Sequence, residues 1–210
     1  MNGQIRRTDV AVVPAEWDVA DLVESVPELR LVGFFDPDPA CHTAEFLRLG
    51  ADEDWPEVRK RHPGMKILIM LDPPQLRARL FDNYGIDNIL TVLSPHAHVS
   101  PRITHGPGLV VQRGAVIMPQ VHMGTGCTIN LGATIHHECR LGDFVSLAPG
   151  SRLLGSVTVG DYAYVGSGAV VLPNVRIGAH AKIGAGAVVN RDIPDGCVAV
   201  GVPAKPLAPK

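Results

Sequence analysis

The sequence predicts a chain in two parts, a small αβ unit with a parallel sheet followed by a parallel β-helix of hexapeptide repeats. Two observations carry that prediction. From Leu93 onward every sixth residue is apolar, through Val99, Val111, Ile117, Met123, Ile129, Ile135, Leu141, Leu147, Leu153, Val159, Val165, Val171, Ile177, Ile183 and Val189, with His105 the lone exception. A six-residue period fits neither the 3.6 of a helix nor the 2 of an ordinary strand, and it marks a solenoid of short strands. Before Leu93 the hexad is absent, and strand-like runs alternate with helical ones in a βαβ pattern.

In chain order, residues 9–13 read as a buried strand, 19–26 as a short helix, 30–36 as a second strand and 66–71 as a third. A helix over 74–84 and a strand near 88–93 complete this Rossmann-like unit. Open parallel sheets bind ligands beyond the carboxyl ends of their strands, which makes Asp36, in Asp36-Pro37-Asp38-Pro39, a candidate substrate-binding residue. The competing reading is a turn that merely ends the strand.

In the solenoid, three hexapeptides make one triangular coil, so residues eighteen apart stack at about the 4.8 Å spacing of paired strands. The first position of each hexad points inward. The fifth, four residues later, holds small residues such as Ala115, Cys127, Ala133, Cys139, Ser151, Ala163 and Ala169 that suit a narrowing corner. Gly at the second position, as in Gly142, Gly160, Gly166, Gly178 and Gly184, is expected for the backbone angles of a turn. The phase holds from Val111 to Val189, predicting about five coils with no ejected loop. Solenoid ends need covering, and residues 195–210, with Gly201-Val202-Pro203-Ala204-Lys205, read as a cap. The expected division is 1–93, 94–194 and 195–210.

Composition bounds the function. With 210 residues and a net charge of −2, the chain has room for two modest domains and no basic surplus that would point to nucleic acid. No apolar run approaches the roughly twenty residues of a membrane span, so no membrane partner and a cytoplasmic location are expected. Cys41, Cys127, Cys139 and Cys197 show no CxxC spacing and read as free thiols.

The chemical anomaly of the ladder is Ile135-His136-His137-Glu138-Cys139. A carboxylate beside an imidazole fixes its tautomer and raises its basicity, which suits His137 as a general base with Glu138 behind it. Eighteen residues on lies Gly155, whose N–H, exposed for want of a side chain, could donate to an oxyanion. A base beside an oxyanion donor is a minimal acyl-transfer site, and solvated histidines are the alternative. Zinc is the other role weighed for His105, His122, His136 and His137, but they contain no H-x4-H ligand pair, and no metal is expected. His136 is expected to face solvent or to stand behind the reacting groups.

The small αβ unit, the hexads, His137-Glu138-Cys139, Val170-Val171-Leu172-Pro173-Asn174 and the closing Gly201 to Lys205 together resemble the sialic acid O-acetyltransferase and nucleotide-sugar N-acetyltransferase family, which includes the bacillosamine-pathway and perosamine enzymes. The resemblance implies a left-handed β-helix and a homotrimer with acetyl-CoA in the groove between neighbouring β-helices. It implies His137 as base, Glu138 as its support and the Gly155 N–H as oxyanion donor. It runs the pantetheine arm past the backbone of Ser167 and Ala185, two positions that the stacking rule also puts side by side, and brings adenine toward Gly201 and Lys205. At the position where many relatives carry a histidine that contacts acetyl-CoA this chain has Ser146, expected to hydrogen-bond in its place.

The chain also departs from that family. Where relatives have a Gly-rich turn for the nucleotide diphosphate it has Val13-Pro14-Ala15-Glu16-Trp17-Asp18, in which Pro14 removes a backbone donor and Glu16 and Asp18 repel phosphate. Asp72-Pro73-Pro74 likewise replaces a polar turn. The leading expectation is an acetyl-CoA-dependent transferase acting on a nucleotide-linked 4-amino sugar for surface glycan synthesis. O-acetylation of a free sugar such as sialic acid, and a non-catalytic trimeric scaffold, are the alternatives.

Overall fold

The computed structural model describes residues 7–40 and 46–207. Its first part is a four-stranded parallel sheet in the order β3-β2-β1-β4, from β1 (Thr8–Val13), β2 (Leu29–Phe35), β3 (Arg48–Gly50) and β4 (Lys66–Ile69). Helix α1 (Trp17–Glu24) packs Val19, Leu22 and Val23 against Val10, Val12 and Phe34 on one face. Helices α2 (Trp55–Arg61) and α3 (Pro74–Tyr84) cover the other, where Trp55, Val58, Leu80, Phe81 and Tyr84 meet Ala11, Phe35, Ile67 and Ile69. The sequence reading missed β3 and α2, because a three-residue strand and a seven-residue helix are too short to show a period. The strand expected near 88–93 is divided: Ile89 bridges Ile67, while Val92–Leu93 already pairs with Val110–Val111 of the solenoid.

From there the chain winds as a left-handed β-helix, with two-residue strands at every sixth step and parallel partners eighteen residues apart. A first face runs through Val110–Val111, Thr128–Ile129, Ser146–Leu147, Tyr164–Val165 and Lys182–Ile183. The second includes Thr134–Ile135 and Arg152–Leu153, and the third His122–Met123 and Arg140–Leu141. First-position aliphatics such as Ile135, Leu147 and Val165 are 0% exposed, each burial stabilising by about 1.5–3 kcal/mol. The fifth-position Cys127 and Cys139 are buried free thiols, and burial pushes them up to about 12 and about 11; Cys41 lies outside the described residues. His105 is exposed. At the far end Val198–Val200 continues the first face and pairs antiparallel with Lys205–Pro206, while Ala199 and Ala204 join the core.

The second-position glycines have a different reason from the one expected. None of Gly142, Gly160, Gly166, Gly178 or Gly184 has positive φ; that conformation recurs instead at the fourth position of every hexad from Gly108 to Gly186. The second-position glycines are needed for close approach, since a Cβ on Gly160 would lie 2.5 Å from the Ala179 backbone nitrogen and one on Gly166 would lie 2.6 Å from the Ile183 carbonyl oxygen.

Fourth positions divide by corner. Between the first and second faces they are all Gly (Gly114, Gly132, Gly150, Gly168, Gly186). Between the second and third they are Gln120, Glu138, Ser156 and Asn174. Between the third and first, Gly108 and Gly126 are followed by Phe144, Tyr162 and His180, whose rings stack with centroids 5.3 and 4.9 Å apart.

Candidate active site

The hexad sets His137 at the third position of the corner between second and third faces, one residue after His136 and directly beneath Gly155 of the next coil. The stacking is close. A Cβ on Gly155 would lie 2.8 Å from Cε1 and 2.9 Å from Nε2 of His137, so only Gly leaves room for the imidazole. The Gly155 backbone is therefore buried under the ring rather than exposed as the sequence reading expected, because the imidazole folds back along the coil.

His137 Nδ1 lies 3.1 Å from Glu138 Oε2, with both side chains about half exposed. With the Nδ1 proton on that hydrogen bond, Nε2 keeps its lone pair, the tautomer a base needs. The Glu138 carboxylate titrates below its ordinary range, held there first by the hydrogen bond to His137 and then by one from Ser156. Among the described residues nothing accepts from the Gly155 N–H. The matching N–H groups of Thr125, Asp143 and Ala179 on the next corner all donate to aspartate carboxylates one coil on. Above Gly155 stands Pro173, which offers no such acceptor. His136, His137, Leu154, Gly155, Ser156, Pro173 and Asn174 line an open recess of ≈ 350 Å³.

Ser167 and Ala185 sit side by side, both exposed, with the Gly186 N–H donating to the Ser167 carbonyl at 2.8 Å. Their own N–H groups have no acceptor among the described residues, and they border the all-glycine corner. Gly201 and Lys205 are exposed at the capped end.

Ser146 corrects the sequence reading. It is 0% exposed, accepts from Arg77 Nη1 at 3.0 Å and donates to the Asp72 carbonyl at 3.1 Å, so it joins the two parts of the chain and has no face for acetyl-CoA. Arg77, which the sequence reading missed, is the centre of that joint. Its guanidinium is 0% exposed and donates to the carbonyls of Gly126, Leu71, Phe144 and Val145 as well as to Ser146. Burial lowers it to about 10, so it stays charged at neutral pH. A signal was present: Arg77 shares a helical stripe with Leu80, Phe81 and Tyr84, where a charge has no place unless it is partnered.

The carboxyl ends of β1 and β4 thereby face the first face of the β-helix, with Gln112 reaching Asp18 at 3.2 Å. Glu16 titrates above the ordinary carboxylate range, through burial first and then through Asp18 and Asp72. Asp36 follows the end of β2, but its Oδ1 accepts from the Asp38 N–H at 2.9 Å, tying it to its own turn. No residue before 94 lines the recess at His137. Among the described residues, no three His, Cys, Asp or Glu side chains gather as a metal site, and no helix is long and apolar enough to cross a membrane.

The profile of the family "Bacterial transferase hexapeptide (six repeats)" matches residues 156–191. No curated protein matches the chain. Among solved structures, the acetyltransferase domain of PglB from Neisseria gonorrhoeae, in complex with acetyl coenzyme A, is 28% identical with a TM-score of 0.88, covering 96% of this chain and 100% of that one. PerB from Caulobacter crescentus, in complex with CoA and GDP-perosamine, is 33% identical with a TM-score of 0.86, covering 96% and 97%. WeeI from Acinetobacter baumannii, 24% identical over 96% and 100% with a TM-score of 0.85, shares the fold.

Proposed function

The chain belongs to the hexapeptide-repeat sugar acetyltransferase family that includes PglB and PerB, and is an acetyl-CoA-dependent sugar acyltransferase; from that premise we propose that it N-acetylates a nucleotide-linked 4-amino sugar in the cytoplasm, with His137 as general base. Residues 1–93 hold the acceptor, 94–194 carry out acyl transfer and 195–210 close the β-helix. The observation that carries this reading is the imidazole of His137 lying on Gly155, its Nδ1 turned to Glu138, beside a backbone N–H without an acceptor.

In the reaction, His137 Nε2 takes a proton as the sugar amine attacks the thioester carbonyl carbon. The Gly155 N–H donates to the oxygen that gains charge. The tetrahedral intermediate then collapses, breaking the carbon–sulfur bond, and the CoA thiolate takes the proton back from the imidazolium. Glu138 supports the imidazolium between those two steps. The thioester supplies an activated acyl group, so the step needs neither metal nor redox cofactor.

The αβ unit docks on the first face and on the corner carrying Phe144, while His137 stands at another corner. This separation supports a homotrimer in which the acceptor unit of one chain serves the base of its neighbour. The bare corner beside Ser167 and Ala185 suits the pantetheine arm, with Gly201 and Lys205 toward the adenine. Asp36 stays a candidate for the acceptor through its second carboxylate oxygen.

Thiol release from acetyl-CoA over a panel of amino-sugar nucleotides tests the reading. His137→Ala is expected to lose on the order of a hundredfold or more on the best acceptor. Near wild-type turnover in that variant defeats the assignment.

One observation favours a second reading. Glu16 is raised first by its burial and then by Asp18 and Asp72, which puts three acids where the family's diphosphate turn would stand. An acceptor without a diphosphate, N- or O-acetylated, avoids that repulsion. Thermal shift decides: a nucleoside diphosphate that binds the native state raises Tm, whereas this alternative expects only the free sugar to do so.

A further inference from the structure

The left-handed positions between the second and third faces are occupied by side chains, although every equivalent position between the first and second faces is Gly. A non-glycine residue with positive φ is strained, so a run of them at the recess calls for a reason. Glu138 has one in His137. Ser156, with φ of 59° and one coil further along the same column, has another. Its Oγ donates to Glu138 Oε2 at 3.2 Å, the same oxygen that meets His137 Nδ1 at 3.1 Å. The hydroxyl therefore restrains the very carboxylate oxygen that meets the imidazole. Ser156 also borders the recess, yet neither its place beside Gly155 nor the hexad rule identifies it from sequence.

We propose that Ser156 is a positioning residue, which aims the Glu138 carboxylate at His137 Nδ1 and so keeps the Nε2 lone pair over Gly155. The inference rests on the reading of His137 as the base. Glu138 is half exposed, and an unrestrained glutamate on a corner would spend much of its time turned to water. One hydrogen bond from the adjacent coil removes that freedom before the substrate arrives. The shift of Glu138 below the ordinary carboxylate range, to which Ser156 contributes, agrees with this geometry.

The test compares Ser156→Gly, which keeps the left-handed backbone without strain but lacks the hydroxyl, with Ser156→Asn, which tolerates the same conformation and retains a donor. Ser156→Gly is expected to lower kcat by about tenfold with the KM for acetyl-CoA unchanged, and Ser156→Asn to recover most of it. In a Glu138→Gln background, removing the hydroxyl is expected to change kcat by less than about twofold, because the charged group it positions is already gone. Ser156→Gly at wild-type rate, or an equal loss with and without the Glu138 carboxylate, overturns the proposal. His137→Ala separates the two failures: if it stays active the base assignment fails, and if it is inactive while Ser156→Gly is normal, only the positioning role fails.

Discussion

Two corners of the same prism, one carrying His137 and the other Phe144, obey one six-residue rule and reach opposite ends. At the Phe144 corner the backbone N–H groups of Thr125, Asp143 and Ala179 are closed by aspartates, and the fourth-position side chains stack into a column. Phe81 of α3 packs edge-on against Phe144, and Arg77 donates to the Phe144 carbonyl. Those three third-position N–H groups thus find a carboxylate within the chain, and the αβ unit docks on this corner. At the His137 corner the Gly155 N–H and the imidazole Nε2 find no partner among the described residues, which leaves them free for the proposed reaction. The fold supplies identical backbone at both corners; the third and fourth residues of the hexad decide what each one does.

The largest expected effect breaks the docking corner. Arg77→Ala leaves buried carbonyls at Gly126 and Phe144 without a donor, and is expected to cost at least about 3 kcal/mol by denaturant unfolding. Loss of the αβ unit's protection in hydrogen exchange, with the β-helix still protected, would confirm that the damage lies at the joint. A cost below 1 kcal/mol would show that Phe81 and Phe144 hold the units together without the guanidinium.

Gly155→Ala probes the reacting corner. The added methyl meets the His137 ring, which can swing out to solvent because it is half exposed, so activity is expected to fall by about a hundredfold while Tm changes little. Full activity would mean that the imidazole does not work from its place over Gly155.

Glu16→Gln gives the smallest effect and sharpens the question of the acceptor. Because the folded state raises Glu16, it holds more protons than the unfolded chain between the ordinary carboxylate range and the raised value. Stability contributed below that window is lost as pH rises through it. Glutamine removes the loss, so Tm at pH 7 is expected to rise on the order of 1 °C, the gain shrinking as pH falls into the carboxylate range. No gain at neutral pH would show that neither burial nor the neighbouring Asp18 and Asp72 disfavours the Glu16 carboxylate.

Much of this was legible in the sequence, for a physical reason. The β-helix is quasi-one-dimensional, so a residue's neighbour is its partner one coil away, and counting in eighteens placed Gly155 against His137 and Ser167 against Ala185. The αβ unit offers no such ruler. Three of the four strands of its sheet and the helices α1 and α3 showed through apolar runs, but β3 and α2 were too short to register. Counting also misjudged the glycines, because a hexad position tells where a residue sits and not whether its constraint is a dihedral angle or a neighbouring atom.

By itself, then, the sequence determined the prism, its period and the juxtaposition of His137 and Gly155, since each follows from contacts at a fixed separation along the chain. Only the tertiary structure decided that Ser146 serves the joint, because its partner Arg77 stands 69 residues earlier on a helix of the other unit. It also decided that Glu16, Asp18 and Asp72 converge, because they follow β1 and β4, strands far apart in the sequence that pair side by side in the parallel sheet.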